Sequence, residues 1–218
     1  SSMSRRVPLF PLDAVLYPGT RLPLHIFEPR YRAMLTEVLA GDRTFALLPP
    51  TADDADPATG SIGCLAQVVS HQELPDGRAN ILVEGTQRCI LRRIEETDHP
   101  FRVGLCDTFE DAEGSSEFPA DLTIRLRALG ERCRAAMAIL AEVRDGTEWS
   151  EAPGPLTFEI AATIPWEAAE GRALLAMRTP AERAAVLMAV LPGIVPDLER
   201  RSRVHDRAHT NGHGPGHG

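Results

Sequence analysis

The stretch VPLFPLDAVLYPGTRLPLHIFEPRYRAML, residues 7–35, is the part of the chain that says most about the fold. It holds three short apolar runs, at 7–12, 15–17 and 22–27, separated by prolines and by Gly19. Proline cannot donate a hydrogen bond to a neighbouring strand, so it is confined to edge strands, strand starts and bulges. The pattern therefore predicts short strands and tight turns that lead into a helix beginning at Pro29.

Three polar residues, His25, Glu28 and Arg30, stand at the start of this predicted helix. A carboxylate is favoured near a helix N-terminus, and a buried or half-buried Glu28–Arg30 pair would anchor the corner between strand and helix. A catalytic alternative would make His25 a base oriented by Glu28, but no neighbouring serine or cysteine is an evident nucleophile. We interpret the group as structural, with surface binding as a second alternative.

Composition narrows the class of protein. The chain has 218 residues, 43% of them hydrophobic, and a net charge of −8. No apolar run approaches the ~20 residues that span a bilayer, and the N-terminus shows no secretion signal. The acidic charge disfavours a general binder of nucleic-acid phosphates. We expect a cytoplasmic protein that does not bind membranes, with nucleic acid an improbable partner.

All 23 basic residues are arginine. Without lysine the chain cannot form a Walker A loop, whose lysine reaches the nucleotide phosphates. A Ser–Lys protease dyad and Schiff-base chemistry are excluded for the same reason. We therefore expect no enzymatic activity and no catalytic residues.

The four cysteines, at 64, 89, 106 and 133, form no CxxC pair. A zinc ribbon or a thioredoxin-like site is therefore not indicated. Three of them fall in predicted strands and one in a predicted helix, and buried free thiols are the simplest interpretation. We expect no metal and no cofactor.

The first half of the chain is predicted to be β-rich, over residues 7–110. After a helix at 29–40, strands are expected at 44–48, 62–72, 80–84, 88–95 and 101–109, with a turn at Leu74–Arg78. An antiparallel sheet or small barrel follows from these hairpin-like connections. Four arginines, at 88, 92, 93 and 102, are expected on a solvated strand face, with a nucleic-acid groove as the alternative.

The second half changes to helical periodicity. Residues 111–118 form a polar linker, and helices are expected at 119–144, 156–163, 167–177 and 180–191 within a helical subdomain at 119–195. Residues 1–6 are expected to be disordered or foreign to the native sequence. Residues 196–218, rich in arginine, histidine and glycine, are expected to be a disordered tail in which histidines at every fourth position have only incidental metal affinity.

The opening motif resembles the N-terminal, substrate-binding domain of Lon proteases. That family shows Pro-Gly before an L-P-L-x-I-F-E-x-R-Y-like motif, then an L-P-D-G-R-like turn and a V-x-G-x-x-R strand. The matching residues here are Pro18, Gly19, Leu22, Pro23, Leu24, Ile26, Phe27, Glu28, Arg30, Tyr31, Leu74, Asp76, Arg78, Val83, Gly85 and Arg88. The resemblance covers about 7–192.

This resemblance implies an α+β fold: a PUA-like pseudo-barrel of mostly antiparallel strands followed by a C-terminal helical bundle. It implies a non-catalytic module that binds unfolded or partner protein segments, without ATPase or protease modules, and resembling stand-alone members of the family. A monomer or weak homodimer is expected. The alternative function is binding of a small ligand or nucleic acid through the PUA-like sheet.

The expected binding surface combines the apolar segment before the helix with the turn that follows the fourth strand. Its residues are Leu22, Leu24, Ile26, Phe27, Leu74, Asp76 and Arg78. The remaining motif residues are expected to be structural: Pro18, Gly19, Glu28, Arg30, Tyr31, Gly85 and Arg88.

Overall fold

The computed structural model describes residues 3–52, 56–115, 118–144 and 146–211. Within them the chain is α+β, with six strands and five helices. The elements are β1 Ser4–Pro11, β2 Arg21–Ile26, α1 Pro29–Ala40, β3 Thr44–Leu48, β4 Ile62–Glu73, β5 Ala79–Glu95, β6 Val103–Phe109, α2 Ala120–Ala141, α3 Pro153–Ala161, α4 Ala168–Ala176 and α5 Pro180–Asn211. The predicted bounds of α1 and β3 are confirmed.

The chain divides into two compact units. Unit 1 comprises Ser1–Ala112 and Trp166–Arg178, and unit 2 comprises Glu113–Pro165 and Thr179–Gly218. The predicted helical subdomain at 119–195 is therefore interrupted, because α4 belongs to unit 1. The Tyr17 hydroxyl donates to the Gly171 carbonyl at 3.0 Å, and Leu174 and Leu175 of α4 are buried. Helical periodicity predicted α4 but could not show which unit it joins.

The strands of unit 1 close into a barrel. Strand β1 pairs with β3 in parallel and with β6 antiparallel, and β4 pairs antiparallel with β3 and β5. The pairing of β5 with β6 completes the ring. Strand β5 runs unbroken through Gly85, where two strands were predicted: residues 79–84 pair with β2 and residues 88–95 pair with β6.

The core of unit 1 fills the barrel and the space under α1. Helix α1 contributes a buried stripe of Tyr31, Met34, Leu35 and Val38, spaced as one face of a helix. Phe10 of β1 lies against Tyr31 edge-to-face, with ring centroids 4.5 Å apart. This packing fixes α1 directly after β2, at the corner that the opening motif encodes.

Unit 2 is built from α2, α3 and α5. Leu126, Cys133 and Ala136 of α2 are buried, spaced as one face of a helix. Gly130 of the same helix lets Ile160 of α3 approach, since a Cβ at Gly130 would lie 2.9 Å from Ile160 Cγ1. Gly130 therefore allows close packing of α2 against α3.

The predicted disordered tail at 196–218 is wrong for residues 196–211, because α5 continues to Asn211 with Pro192 and Pro196 inside it. The reason is tertiary packing. Leu191, Val195 and Leu198 are at most 2% exposed, so the buried face of α5 continues through Pro192 and past Pro196. Arg132 of α2 also pairs with Glu199, with Nη2 and Oε1 2.6 Å apart. Residues 212–218 lie outside the described part of the chain.

The N-terminal prediction also needs correction. Strand β1 begins at Ser4, and Ser4 to Arg6 pair with β6 from Asp107 to Leu105. The Ser4 hydroxyl donates to Asp107 Oδ1 at 2.6 Å. Pairing with a strand about 100 residues later cannot be read from the local polar sequence. Residues 1–2, and residues 116–117 of the predicted linker, lie outside the described residues.

All four cysteines are free and buried, as predicted. None is more than 1% exposed, and burial raises the pKa of the Cys64 thiol to about 12. Burial likewise raises the pKa of Cys133. A thiol must reach solvent and ionise before it can attack a reagent.

We therefore expect Ellman's reagent to label the native chain orders of magnitude more slowly than the denatured chain, where all four thiols should react. Stopped-flow absorbance, with and without guanidinium chloride, measures both rates. Labelling of two or more thiols in native protein at the denatured rate would contradict the buried arrangement.

Candidate peptide-binding surface

Strand β2 has one unpaired edge. It pairs with β5 along its whole length, from Arg21 opposite Glu84 to Ile26 opposite Ala79. Among the described residues it pairs with no other strand. Pro23 lies in the middle of the strand and removes one backbone donor, which limits uncontrolled pairing at an edge. An extended peptide can add to an edge of this kind through main-chain hydrogen bonds.

The apolar side chains of β2 face the core. Ile26 is 1% exposed, and Leu22 and Leu24 are partly buried against the main core of unit 1. The alternation follows from the pleat, which sends every second side chain to the same face. Three of the predicted binding residues therefore pack β2 against the core. The buried Ile26 cannot offer its side chain to a ligand.

Phe27 is the exception, since it is 56% exposed directly after β2. Its ring stacks on His25 with centroids 5.8 Å apart. His25 Nδ1 lies 2.8 Å from Asn80 Oδ1 on β5. The catalytic alternative, in which Glu28 orients His25, is not supported, because the side chain that orients His25 is Asn80.

The turn Leu74–Arg78 joins β4 to β5 and lies beside the end of β2. The Leu74 N–H donates to the Arg78 carbonyl at 2.7 Å, and Gly77 has a φ of +85°, which favours glycine. The Arg78 N–H donates to Asp76 Oδ1 at 3.1 Å and is the main reason that the pKa of Asp76 is lowered. The side chains of Asp76 and Arg78 also pair and are about half exposed.

A groove of about 520 Å³ lies between α1 and this turn, and we call it the α1–hairpin groove. Its volume is within the range of about 300–1,000 Å³ typical of ligand sites. It is lined by Pro29, Arg32, Ala33, Leu35, Thr36, Leu39, His71, Glu73, Gly77 and Ala79. Apolar residues from α1 and β5 therefore lie beside a polar rim from β4.

Arg32 places a positive charge at the end of the groove. A Cβ built on Gly77 would lie 1.9 Å from Arg32 Nη2, so the guanidinium lies directly against the turn. Sequence reasoning missed Arg32 and the other α1 residues. The available signal was that Ala33 and Leu39 are apolar but lie off the buried stripe of the helix.

A second, smaller cavity of about 210 Å³ lies beside the start of α1 and includes Glu28, Arg30 and Tyr31. Arg30 Nε lies 3.0 Å from Glu28 Oε2, and Arg102 Nε lies 2.9 Å from Asp56 Oδ1. Both guanidiniums that line this cavity are therefore paired with carboxylates. The cavity is also below the usual size of a ligand site.

Glu28 is the N-cap residue of α1, but its side chain makes no capping hydrogen bond. The Glu28 and Arg30 side chains are 42% and 45% exposed, so the pair is half-buried, as one of the two predicted alternatives has it. Exposed pairs stabilise by about 0–1 kcal/mol. The corner between β2 and α1 is therefore held mainly by Tyr31 and the core, not by this pair.

Pro18, Gly19 and Gly85 form the structural joint that the motif predicts. Pro18 bridges Gly85 in parallel, and the Gly19 N–H donates to the Gly85 carbonyl at 2.8 Å. The Gly85 N–H in turn donates to the Thr20 carbonyl at 2.9 Å. Gly19 has a φ of +76°, so the turn before β2 also requires glycine.

Arg88 is buried, so its placement on a solvated strand face is wrong. It donates to the Leu175 carbonyl at 3.0 Å, to the Met177 carbonyl, and to Asp111 Oδ1 at 2.7 Å. Its guanidinium also lies 4.6 Å from the centroid of the Phe109 ring. Arg88 therefore joins β5 to the end of α4, which agrees with its predicted structural role.

Arg92, Arg93 and Arg102 are exposed, as predicted, and each pairs with a carboxylate. Arg92 Nε lies 2.7 Å from Asp107 Oδ2, which is the shortest of these contacts. A nucleic-acid groove needs cations that are available to phosphates. In this structure these three guanidiniums lie beside carboxylates instead.

A family model for the substrate-binding domain of the ATP-dependent protease La (LON) matches residues 6–191. The chain belongs to this family. The match begins in β1 and extends into α5, so it includes β2, the turn Leu74–Arg78 and the α1–hairpin groove. The candidate binding surface of this LON-domain chain therefore lies within the matched residues.

Curated relatives are Lon proteases. The chain is 26% identical over 164 residues to Lon protease of Desulfosudis oleivorans, covering 72% of this chain and 20% of that protein. It is 28% identical over 189 residues to Lon protease of Azospirillum brasilense, covering 81% and 22%. The LON-domain chain thus spans about a fifth of the length of these relatives.

Solved structures share the fold. A crystal structure titled as a Lon N-terminal domain protein from Xanthomonas campestris has a TM-score of 0.66 at 21% identity, covering 86% of this chain and 99% of that one. The N-terminal domain of Lon protease from Mycobacterium avium complex has a TM-score of 0.59 at 17% identity, covering 85% and 97%. Among the described residues, no helix has the length and apolar character needed to cross a membrane.

Proposed function

We propose that this LON-type chain binds extended segments of other proteins along the free edge of β2 and in the α1–hairpin groove, without catalysing a reaction. Membership of a substrate-binding family supports a protein ligand. The observation that carries the location is Phe27, a large apolar side chain that is 56% exposed beside an unpaired strand edge.

The two parts of the surface supply different contributions to binding. The β2 edge offers backbone groups that recognise any extended chain, independent of its sequence. Phe27, Leu39 and Ala33 supply apolar contact area, which provides most of the affinity. Arg32, which lies against Gly77, and Arg78, the next residue in the turn, offer guanidiniums that can hold backbone carbonyls or acidic side chains of a bound segment.

The proposal that the chain catalyses no reaction rests on residue chemistry. The chain has no lysine, and His25 Nδ1 is hydrogen-bonded to Asn80. The described residues of the candidate surface offer charge, backbone groups and apolar area, which is what a binding module needs. The Lon relatives are much longer, and this chain matches about a fifth of their length.

We expect Phe27→Ser to weaken binding of an unfolded protein at least about tenfold, because exposed aromatic anchors commonly contribute more than 1 kcal/mol. Arg78→Ala should weaken binding less, since its guanidinium also pairs with Asp76. Fluorescence anisotropy with a labelled, permanently unfolded carboxymethylated protein measures both dissociation constants. Circular dichroism melts show whether each variant is folded.

Ile124→Ser is the matched control, because Ile124 is 68% exposed and belongs to unit 2. It should bind as the parent does. Loss of binding in Ile124→Ser with Phe27→Ser unaffected would assign the site to the helical unit and overturn the proposed surface. Binding that falls steeply with salt, and competition by a single-stranded oligonucleotide, would favour the nucleic-acid alternative.

A further inference from the structure

We propose that Glu142, His205 and His209 form a binding site for a divalent transition-metal ion, with Zn²⁺ as the ion that it fits best. The three side chains come from the end of α2 and the last turns of α5, both within unit 2. Within the described residues, their ligand atoms all lie within 4.8 Å of one another.

The two histidines face the same point because α5 is still helical where a disordered tail was predicted. His205 and His209 are four residues apart, so they lie one turn apart on the same helix face. Their ring centroids are 4.7 Å apart. Both Nε2 atoms approach Glu142 Oε1, His205 at 3.3 Å and His209 more closely.

The position of Glu142 depends on an unusual backbone conformation. It is the C-cap residue of α2 and has a left-handed φ of 56°, which is uncommon for a residue other than glycine. Its N–H bonds to the carbonyls of Ala138 and Ile139, which closes the helix. This cap holds the carboxylate against the histidine face of α5.

The donor set suits zinc, and one separation within it already has the spacing of zinc ligands. Zinc takes imidazole nitrogens and carboxylate oxygens at about 2.0–2.2 Å, and a tetrahedron of such bonds places ligand atoms about 3.3 Å apart. The separation of 3.3 Å between His205 Nε2 and Glu142 Oε1 matches that spacing. Two imidazoles and one carboxylate leave a fourth position, which water or a partner's side chain can occupy.

A divalent ion would satisfy both ring nitrogens and the carboxylate at once. The hard ions Mg²⁺ and Ca²⁺ prefer all-oxygen ligands, so the site should discriminate against them.

Metal binding would join the end of α5 to the end of α2, two points 63 residues apart in sequence. Helix ends fray unless something ties them down. The expected structural result is slower hydrogen exchange in residues 199–211 when zinc is present. This gives a readout that does not depend on the proposed binding of proteins.

The test is calorimetric titration of the full chain, without an affinity tag, with ZnCl₂ at neutral pH. We expect one Zn²⁺ per chain, and a dissociation constant raised at least about tenfold by His205→Ala, by His209→Ala and by Glu142→Gln. Zinc should slow hydrogen exchange at 199–211 in the parent and not in these variants. Mg²⁺ should not bind.

Two controls separate this site from other histidines. His99→Ala should bind zinc as the parent does, because His99 pairs with a single carboxylate, Glu37, at 3.2 Å. The double variant His213→Ala, His217→Ala should also keep the site. Zinc binding that survives His205→Ala and His209→Ala, or that is lost in either control, would overturn the proposal.

Discussion

Replacing Arg88 by methionine should lower the free energy of unfolding of unit 1 by about 3–5 kcal/mol, the usual cost of removing one partner from a buried ion pair. The Arg88 side chain is 3% exposed and its Asp111 partner 24%. Methionine keeps much of the length and apolar volume but none of the donors. The carbonyls of Leu175 and Met177 and the Asp111 carboxylate would each lose the hydrogen bond from Arg88.

The measurement is urea unfolding followed by tryptophan fluorescence. The chain has two tryptophans, Trp149 and Trp166, and Trp166 belongs to unit 1. A Trp149→Phe background therefore reports unit 1 alone. Because the effect acts on the native state, the midpoint should fall with the m-value unchanged.

Arg92→Met is the matched control for this prediction. Arg92 lies on the same strand and also pairs with a carboxylate, but its side chain is 51% exposed. The expected loss is about 0–1 kcal/mol. Equal midpoints for Arg88→Met and Arg92→Met would show that the buried network does not hold α4 to the barrel. Arg88→Lys should be intermediate, since an ammonium lacks the planar fork.

Local signals account for what the sequence predicted well. Proline, glycine and short apolar runs place α1, β3 and the turn Leu74–Arg78 correctly, because these elements are determined by residues next to one another. The Pro18-Gly19 turn and the N-terminal proline of α1 are of the same kind. The fold class follows from such signals and from the family resemblance.

Distant partners account for what the sequence could not predict. From the local sequence, Arg88 was assigned to a solvated strand face. Its carbonyl acceptors are 87 and 89 residues away in the chain, so the local sequence could not show its burial. The end of α5 was predicted to be disordered, but Leu191, Val195 and Leu198 are buried before, between and after the two prolines. Propensity is local, and packing overrides it here.

The candidate surface falls between these cases. Phe27 belongs to the opening motif, and Leu74–Arg78 is the L-P-D-G-R-like turn, so both could be named from the sequence. The α1 wall of the groove was missed because Arg32 contacts Gly77 across 45 residues of chain that include two strands. Conversely, Ile26 was predicted to bind and is buried, since a strand motif alone does not show which face meets the core.

Replacing Gly85 by alanine should destabilise unit 1 by about 1–3 kcal/mol, the typical cost of forcing extra atoms into a packed site. A Cβ at Gly85 would lie 2.2 Å from the Tyr17 carbonyl oxygen and 3.1 Å from Cys64 Sγ. The first of these is a backbone atom that cannot rotate away. The segment before β2 would have to move, which would break the Gly19–Gly85 and Gly85–Thr20 hydrogen bonds.

Gly193→Ala provides the control, because no heavy atom lies within 4 Å of its added Cβ and Gly193 is inside α5. Alanine at such a position should stabilise the helix by about 0.5–1 kcal/mol. The two variants add the same methyl group with opposite expected signs in urea midpoints. A Gly85→Ala protein as stable as its parent would mean that β5 needs no close approach at residue 85, and that Gly85 belongs to the motif for another reason. The joint also positions β2, so a folded Gly85→Ala protein should bind the unfolded-protein probe more weakly than the parent.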